Sequence, residues 1–120
     1  IIMAQQSHQD HFFRELKMLR EQGLNINGPV GAAGVPLTPG RSLAVDRKYF
    51  SMGTPMWIDT SHPLTQDPLR RLMIAQDTGG AIVGPVRGDF FWGAGVQAKE
   101  AAGRMKQTGQ LYILLPRSFR

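Results

Sequence analysis

Glycine and proline interrupt this chain so often that few stretches are left in which a long helix could grow. There are 14 Gly and 8 Pro in 120 residues. Residues 25–40 (NINGPVGAAGVPLTPG) alone hold four Gly and three Pro. Proline removes a backbone donor and clashes with the preceding helical turn, while glycine and proline together set tight turns. That segment therefore reads as turns joining short extended pieces.

The rest of the chain follows the same logic. Residues 42–45 read as a strand ending at Asp46, residues 56–59 (MWID) as another, and residues 71–76 (RLMIAQ) as a third. The third stops at Asp77-Thr78-Gly79-Gly80. Residues 81–83 read as short and extended, and 90–92 as an apolar patch closed by Gly93 and Gly95. Residues 111–115 (LYILL) read as a buried strand ended by Pro116, and 61–68, polar with two prolines, as a loop. A helix is expected over 97–108, where Ala98, Ala101, Ala102 and Met105 share a face and Gly109 caps the end. Residues 11–22 have nearly helical spacing of Phe12, Phe13, Leu16 and Leu19, with an extended 12–16 as the competing reading. About six short strands and one late helix predict a mainly β fold, a small barrel.

With 42% hydrophobic residues the chain can bury a real core, and its length suits one domain. Cysteine is absent, which excludes disulfides, thiolate catalysis and thiolate zinc sites. No apolar run approaches the ~20 residues of a membrane-spanning helix. The net charge of +5 suits an anionic or polymeric partner, but the basic residues are scattered and form no stripe typical of nucleic-acid binding. The chain opens on Ile1 with no charged leader, which reads as a cut end.

Several motifs compete for chemistry. Asp77-Thr78-Gly79 has the form of an aspartic-protease triplet, yet too few residues follow it to build flaps and substrate walls. The Gly-rich run 77–95 lacks both the P-loop and the dinucleotide-binding spacing, so its glycines read as turn formers. His8, His11 and His62 have no carboxylate or Cys neighbours at ligand spacing. The aspartates say more. Asp46, Asp77 and Asp89 each sit at a strand end beside apolar or Gly-rich sequence, where a rigid scaffold presents side chains to a groove. Each alone is an ordinary turn or capping residue; together they read as one site. Carboxylates grouped in a partly dry groove allow one of them to stay protonated as a general acid.

These residues carry a resemblance. The pieces GPVGAAGVPLTPGRSLAVD (28–46), MGTPMWID (52–59), AQDTGGAIVGPVRGD (75–89) and WGAGVQAKEAAGRMKQTG (92–109) resemble the three-aspartate (3D) domain of the membrane-bound lytic murein transglycosylase A family. Phe12-Phe13-Arg14-Glu15 is similar to the segment leading into that domain, which favours the extended reading there. The resemblance implies a double-psi β-barrel (barwin-like) with one short C-terminal helix. Residues 1–27 would be a lead-in contributing to the barrel, and 28–117 the 3D domain of a larger two-domain enzyme.

It also implies cleavage of the β-1,4 bond between N-acetylmuramic acid and N-acetylglucosamine in peptidoglycan, leaving 1,6-anhydromuramyl products. Matched to the family motif, Asp89 is the acid/base, Asp77 its close partner and Asp46 a supporting residue. Gly79, Gly80, Arg87 and Trp92 are expected to line the substrate groove. Ordinary glycosidases need two carboxylates, but here the sugar's own C6 hydroxyl attacks, so one suffices. No metal and no cofactor is required. The implied partners are peptidoglycan glycan strands and wall-synthesis protein complexes, with no nucleic acid. The implied location is the periplasmic face of the outer membrane, reached through an N-terminal lipid anchor that this chain does not carry. The competing expectation is a barrel that binds cell-wall polysaccharide without cutting it.

Overall fold

A computed structural model describes residues 1–5 and 29–117. The expectations for the FFRE segment, for a helix or strand within 11–22 and for His8 and His11 fall outside the described residues.

The described chain is mainly β with one short helix, as the sequence predicts. In order it runs β1 (Ile2–Ala4), β2 (Ser42–Ala44), β3 (Pro55–Ser61), β4 (Pro68–Asp77), β5 (Gly88–Phe90), α1 (Val96–Arg104), β6 (Lys106–Gln107) and β7 (Gln110–Ile113). All seven strands join one sheet in the order β6-β1-β5-β2-β4-β3-β7. No pairing joins β6 to β7, so among the described residues the sheet is open and no closed double-psi barrel is formed.

Alternation along β3 explains where the core lies. Met56, Ile58 and Thr60 are buried while the residues between them face outward, the period of two of a half-buried strand. The buried side chains of β3 meet Ile2, Leu43, Met73, Ala75 and Phe90 from the other strands in one cluster. Ala102 and Met105 close it from the helix side.

Four local expectations are corrected. The β3–β4 loop is shorter than read, because Ser61 and Pro68 pair with each other as strand ends. Residues 81–83 form no strand; Ile82 N–H instead donates to the Gly79 carbonyl (3.0 Å), folding the segment into a turn. The helix ends at Arg104, well before Gly109. Met105 is extended and buried, and Lys106 and Gln107 leave the helix to pair antiparallel with β1. Gly109 is needed for another reason: a Cβ there would lie 2.7 Å from the Asp59 carbonyl oxygen on β3. Lastly, the 111–115 strand is not buried. β7 is the outermost strand, and Tyr112, Ile113, Leu114 and Leu115 are all exposed.

Candidate functional site

β5 is buried at every residue, and Asp89 at its centre is only 5% exposed. Gly88 permits this depth. Methyl groups of Leu43 and Leu111 lie 3.2 Å from where its Cβ would stand, so a larger residue would push the strand away. A buried carboxylate needs a partner, and Arg87 supplies one from just outside the strand. Its Nε donates to Asp89 Oδ1 (2.9 Å) and its Nη2 to Oδ2 (3.2 Å), a two-pronged grip suited to a planar carboxylate. Its Nη1 donates to the Ala81 carbonyl (2.8 Å), which ties the 78–86 loop to the pair. The Asp89 carboxylate holds the Arg87 guanidinium still more firmly in its charged form, against the opposing effect of partial burial.

Asp89 and Arg87 open onto a cleft of about 500 Å³, within the range of small-ligand sites. Gly79 and Gly80 line it, together with Thr78, Ala81 and Ile82 of the same loop. A Cβ on Gly80 would meet nothing, so the wall there is bare backbone with space in front of it. Met3, Ala4 and Gln5 form the facing wall. Among the described lining residues Asp89 is the sole carboxylate.

Asp77 is placed near Asp89 without touching it. Ala44 of β2 is the register partner of Asp77 on one side and of Asp89 on the other, so their backbones stand two strand spacings apart, about 10 Å. The Asp77 carboxylate is occupied elsewhere: Oδ1 accepts from Ala32 N–H (3.0 Å) and Oδ2 from Gln5 Nε2 (2.7 Å). The residue that grips Asp89 is therefore Arg87. Asp77 ties the 29–40 loop to Gln5, which lines the cleft just past the end of β1.

Asp46 does similar work beyond β2. Its Oδ1 accepts from Lys48 N–H (3.0 Å) and its Oδ2 from Gly84 N–H (2.9 Å), fixing the far side of the 78–86 loop. Those two backbone donors, Gly84 first, hold its carboxyl below the ordinary value of 3.8 against the contrary effect of burial.

Trp92 does not line this cleft. It stands three residues after Asp89, and its ring packs on Phe90 (centroids 4.4 Å apart) and at right-angled contact with His62 (5.2 Å). Its indole N–H donates to Met105 Sδ (3.2 Å), and it lines a second recess with His62, Leu64 and residues of α1. Among the described residues no group of three His, Asp or Glu side chains is arranged to hold a metal.

Gln5 is the residue sequence reasoning missed. No motif contains it, and its contact with Asp77 spans 72 positions. Glutamine in a segment read as a cut end gives no local signal of such a role.

Known proteins resemble this chain in sequence and in fold. The 3D domain family profile matches residues 41–115. Membrane-bound lytic murein transglycosylase A of Vibrio cholerae is 36% identical over 95 residues, covering 70% of this chain and 24% of the relative. The crystal structure of MltA from Neisseria gonorrhoeae superposes with a TM-score of 0.75 at 48% identity, over 79% of this chain and 25% of that one. Escherichia coli MltA with bound chitohexaose superposes with a TM-score of 0.65 at 30% identity, over 73% of this chain and 28% of that one. The chain thus spans about a quarter of the length of these relatives. With more than half of its residues matched by the profile, it belongs to the 3D domain family of the membrane-bound lytic murein transglycosylase A proteins.

Proposed function

We propose that this chain carries the acid/base centre of a peptidoglycan lytic transglycosylase. It would cut the β-1,4 bond between N-acetylmuramic acid and N-acetylglucosamine and leave a 1,6-anhydromuramyl end. The observation that carries this is a cleft with one carboxylate among its described lining residues, Asp89, in a chain of this family. A hydrolase working with two carboxylates would place both beside the scissile bond. Here Asp77, the nearest candidate, spends both oxygens on Ala32 and Gln5.

In the proposed reaction Asp89, which Arg87 holds as a carboxylate in the free site, first takes up a proton and releases one prong of that grip; protonated, it donates to the glycosidic oxygen as the C1–O bond breaks. The carboxylate so formed takes the proton of the C6 hydroxyl as O6 bonds to C1. No water is consumed, and the acid is returned to its starting state. Intramolecular attack supplies the nucleophile at high effective concentration, which removes the need for a water-activating base. Arg87 is placed to stabilise the carboxylate once its proton has left, and a carboxylate under the ring favours the positive charge developing at C1. Gly79 and Gly80 offer backbone and open space to the sugar, while Asp77 and Asp46 hold the cleft walls. Trp92 packs beside the core and takes no part in bond cleavage in this scheme.

The same family membership supports three further proposals. The open sheet is part of a double-psi barrel, a reading in keeping with the Gln5–Asp77 side-chain hydrogen bond that reaches from just past β1 to the end of β4 across β5 and β2. The substrate is a glycan strand, in keeping with the chitohexaose bound to the Escherichia coli relative. The site of action is the periplasmic face of the outer membrane, with wall-synthesis complexes as partners.

The test is digestion of purified peptidoglycan by the full chain and by Asp89→Asn, with the products identified by mass spectrometry. The parent is expected to release 1,6-anhydromuramyl fragments and the variant none. Reducing-end products would mean hydrolysis and a second base. Binding without cleavage by the folded parent would mean a glycan-binding barrel.

A further inference from the structure

We infer that Gln5 contacts the substrate in the Asp89 cleft, its side-chain carbonyl accepting a hydrogen bond from an amide N–H or hydroxyl of an N-acetylhexosamine unit. The inference rests on the glycan reading of the cleft given above.

Gln5 lies just past the end of β1, and its own N–H continues the ladder to β5 by donating to the Phe90 carbonyl (3.0 Å). Met3 is the register partner of Asp89, so Gln5, two residues on, is directed to the same side of the strand. Both line the cleft. Gln5 is only 9% exposed, so its polar atoms have little water to fall back on.

The orientation of the amide follows from chemistry. Asp77 Oδ2 lies 2.7 Å from one end of the Gln5 amide, and an ionised carboxylate only accepts hydrogen bonds. The end facing Asp77 must therefore be the NH₂ group, which leaves the carbonyl Oε1 as the free end. Among the described residues no donor reaches that oxygen, and it is buried. Buried polar atoms are nearly always paired, and an exception at a cleft wall calls for a partner from outside. That partner must bring an N–H or O–H. N-acetylated sugars carry both kinds of donor, in the acetamido group and the ring hydroxyls.

The probe is chitohexaose, titrated into the ¹⁵N-labelled full chain. Its binding is expected to shift the Gln5 side-chain NH₂ signals together with the backbone signals of Gly80 and Asp89. Gln5→Leu is expected to weaken chitohexaose binding about tenfold, as for a lost hydrogen bond to a buried group, with its melting temperature recorded beside it. The wild-type titration decides the matter even if that variant fails to fold. Shifts at Gly80 and Asp89 with none at Gln5 would overturn the role of Gln5 and leave the glycan cleft standing. No shift at any cleft residue would overturn both.

Discussion

Asp89 and Trp92 lie three positions apart, yet they serve two different recesses. The Asp89 cleft is organised by charge and hydrogen bonds: a buried carboxylate, a guanidinium, an orphan amide carbonyl and bare glycine backbone. The Trp92 recess is organised by ring packing, with Phe90, His62 and Met105 around the indole. An odd spacing along extended chain sends two side chains to opposite faces, so Asp89 and Trp92 could not share a wall. Neighbouring positions in a motif need not be neighbours in a site.

Substitutions should separate the two recesses cleanly. The largest effect is expected from Asp89→Asn, which removes the transferable proton while keeping the shape. Peptidoglycan cleavage should fall about 10³-fold, and the melting temperature should drop modestly because the amide NH₂ cannot accept from one Arg87 prong. An unchanged rate would show that the chemistry lies elsewhere. Trp92→Ala should do the reverse, costing about 3 kcal/mol of stability through the lost packing on Phe90 and Met105. Chitohexaose affinity of the folded variant should stay within about twofold of the parent, since the indole is outside the cleft. A tenfold loss of affinity with little loss of stability would place Trp92 in the sugar site and erase the contrast.

Arg87→Leu falls between these extremes. It strands a carboxylate that is 5% exposed, and a change of this kind in a fully buried pair costs several kcal/mol. The Arg87 side chain is 27% exposed, so water softens the penalty to about 2 kcal/mol, readable by urea denaturation. The smallest effect concerns Asp46. Its carboxyl titrates lower in the folded protein than in the unfolded chain. Its contribution to stability is therefore complete above the ordinary carboxylate value and disappears as pH falls through the lower, folded value. As the pH falls from neutral to below the ordinary carboxylate value, Asp46→Asn should lose less melting temperature than the parent. Equal losses would assign the acid sensitivity to other carboxylates.

Much of this was legible in the chain. Glycine and proline act through their own backbones, so the turns at 29–40, at 77–80 and at 84–85 and the mainly β class could be read locally, whereas the turn through 81–83 could not. The three aspartates could be picked out because each lies beside such a turn, although Asp89 proves to sit at the centre of β5 and not at a strand end. Their division of labour could not. Asp77 gains its partners from residues 45 and 72 positions away, and Asp46 reaches Gly84 across 38. The exposure of β7 was equally hidden, because LYILL reads as apolar whether or not a strand lies on its outer side. So too was the early end of α1, where pairing of Lys106 and Gln107 with β1 outweighs local helical preference.

The sequence by itself determined which segments could be extended, where the chain must turn, and which residue types stood ready for acid/base work. Those properties depend on one residue and its immediate neighbours. Tertiary structure alone decided that Asp77 is held by Ala32 and Gln5, that Asp46 holds Gly84, and that a glutamine near the start of the chain borders the cleft. Each of these is a contact between segments far apart in the chain, and no local pattern encodes how far a sheet will curl.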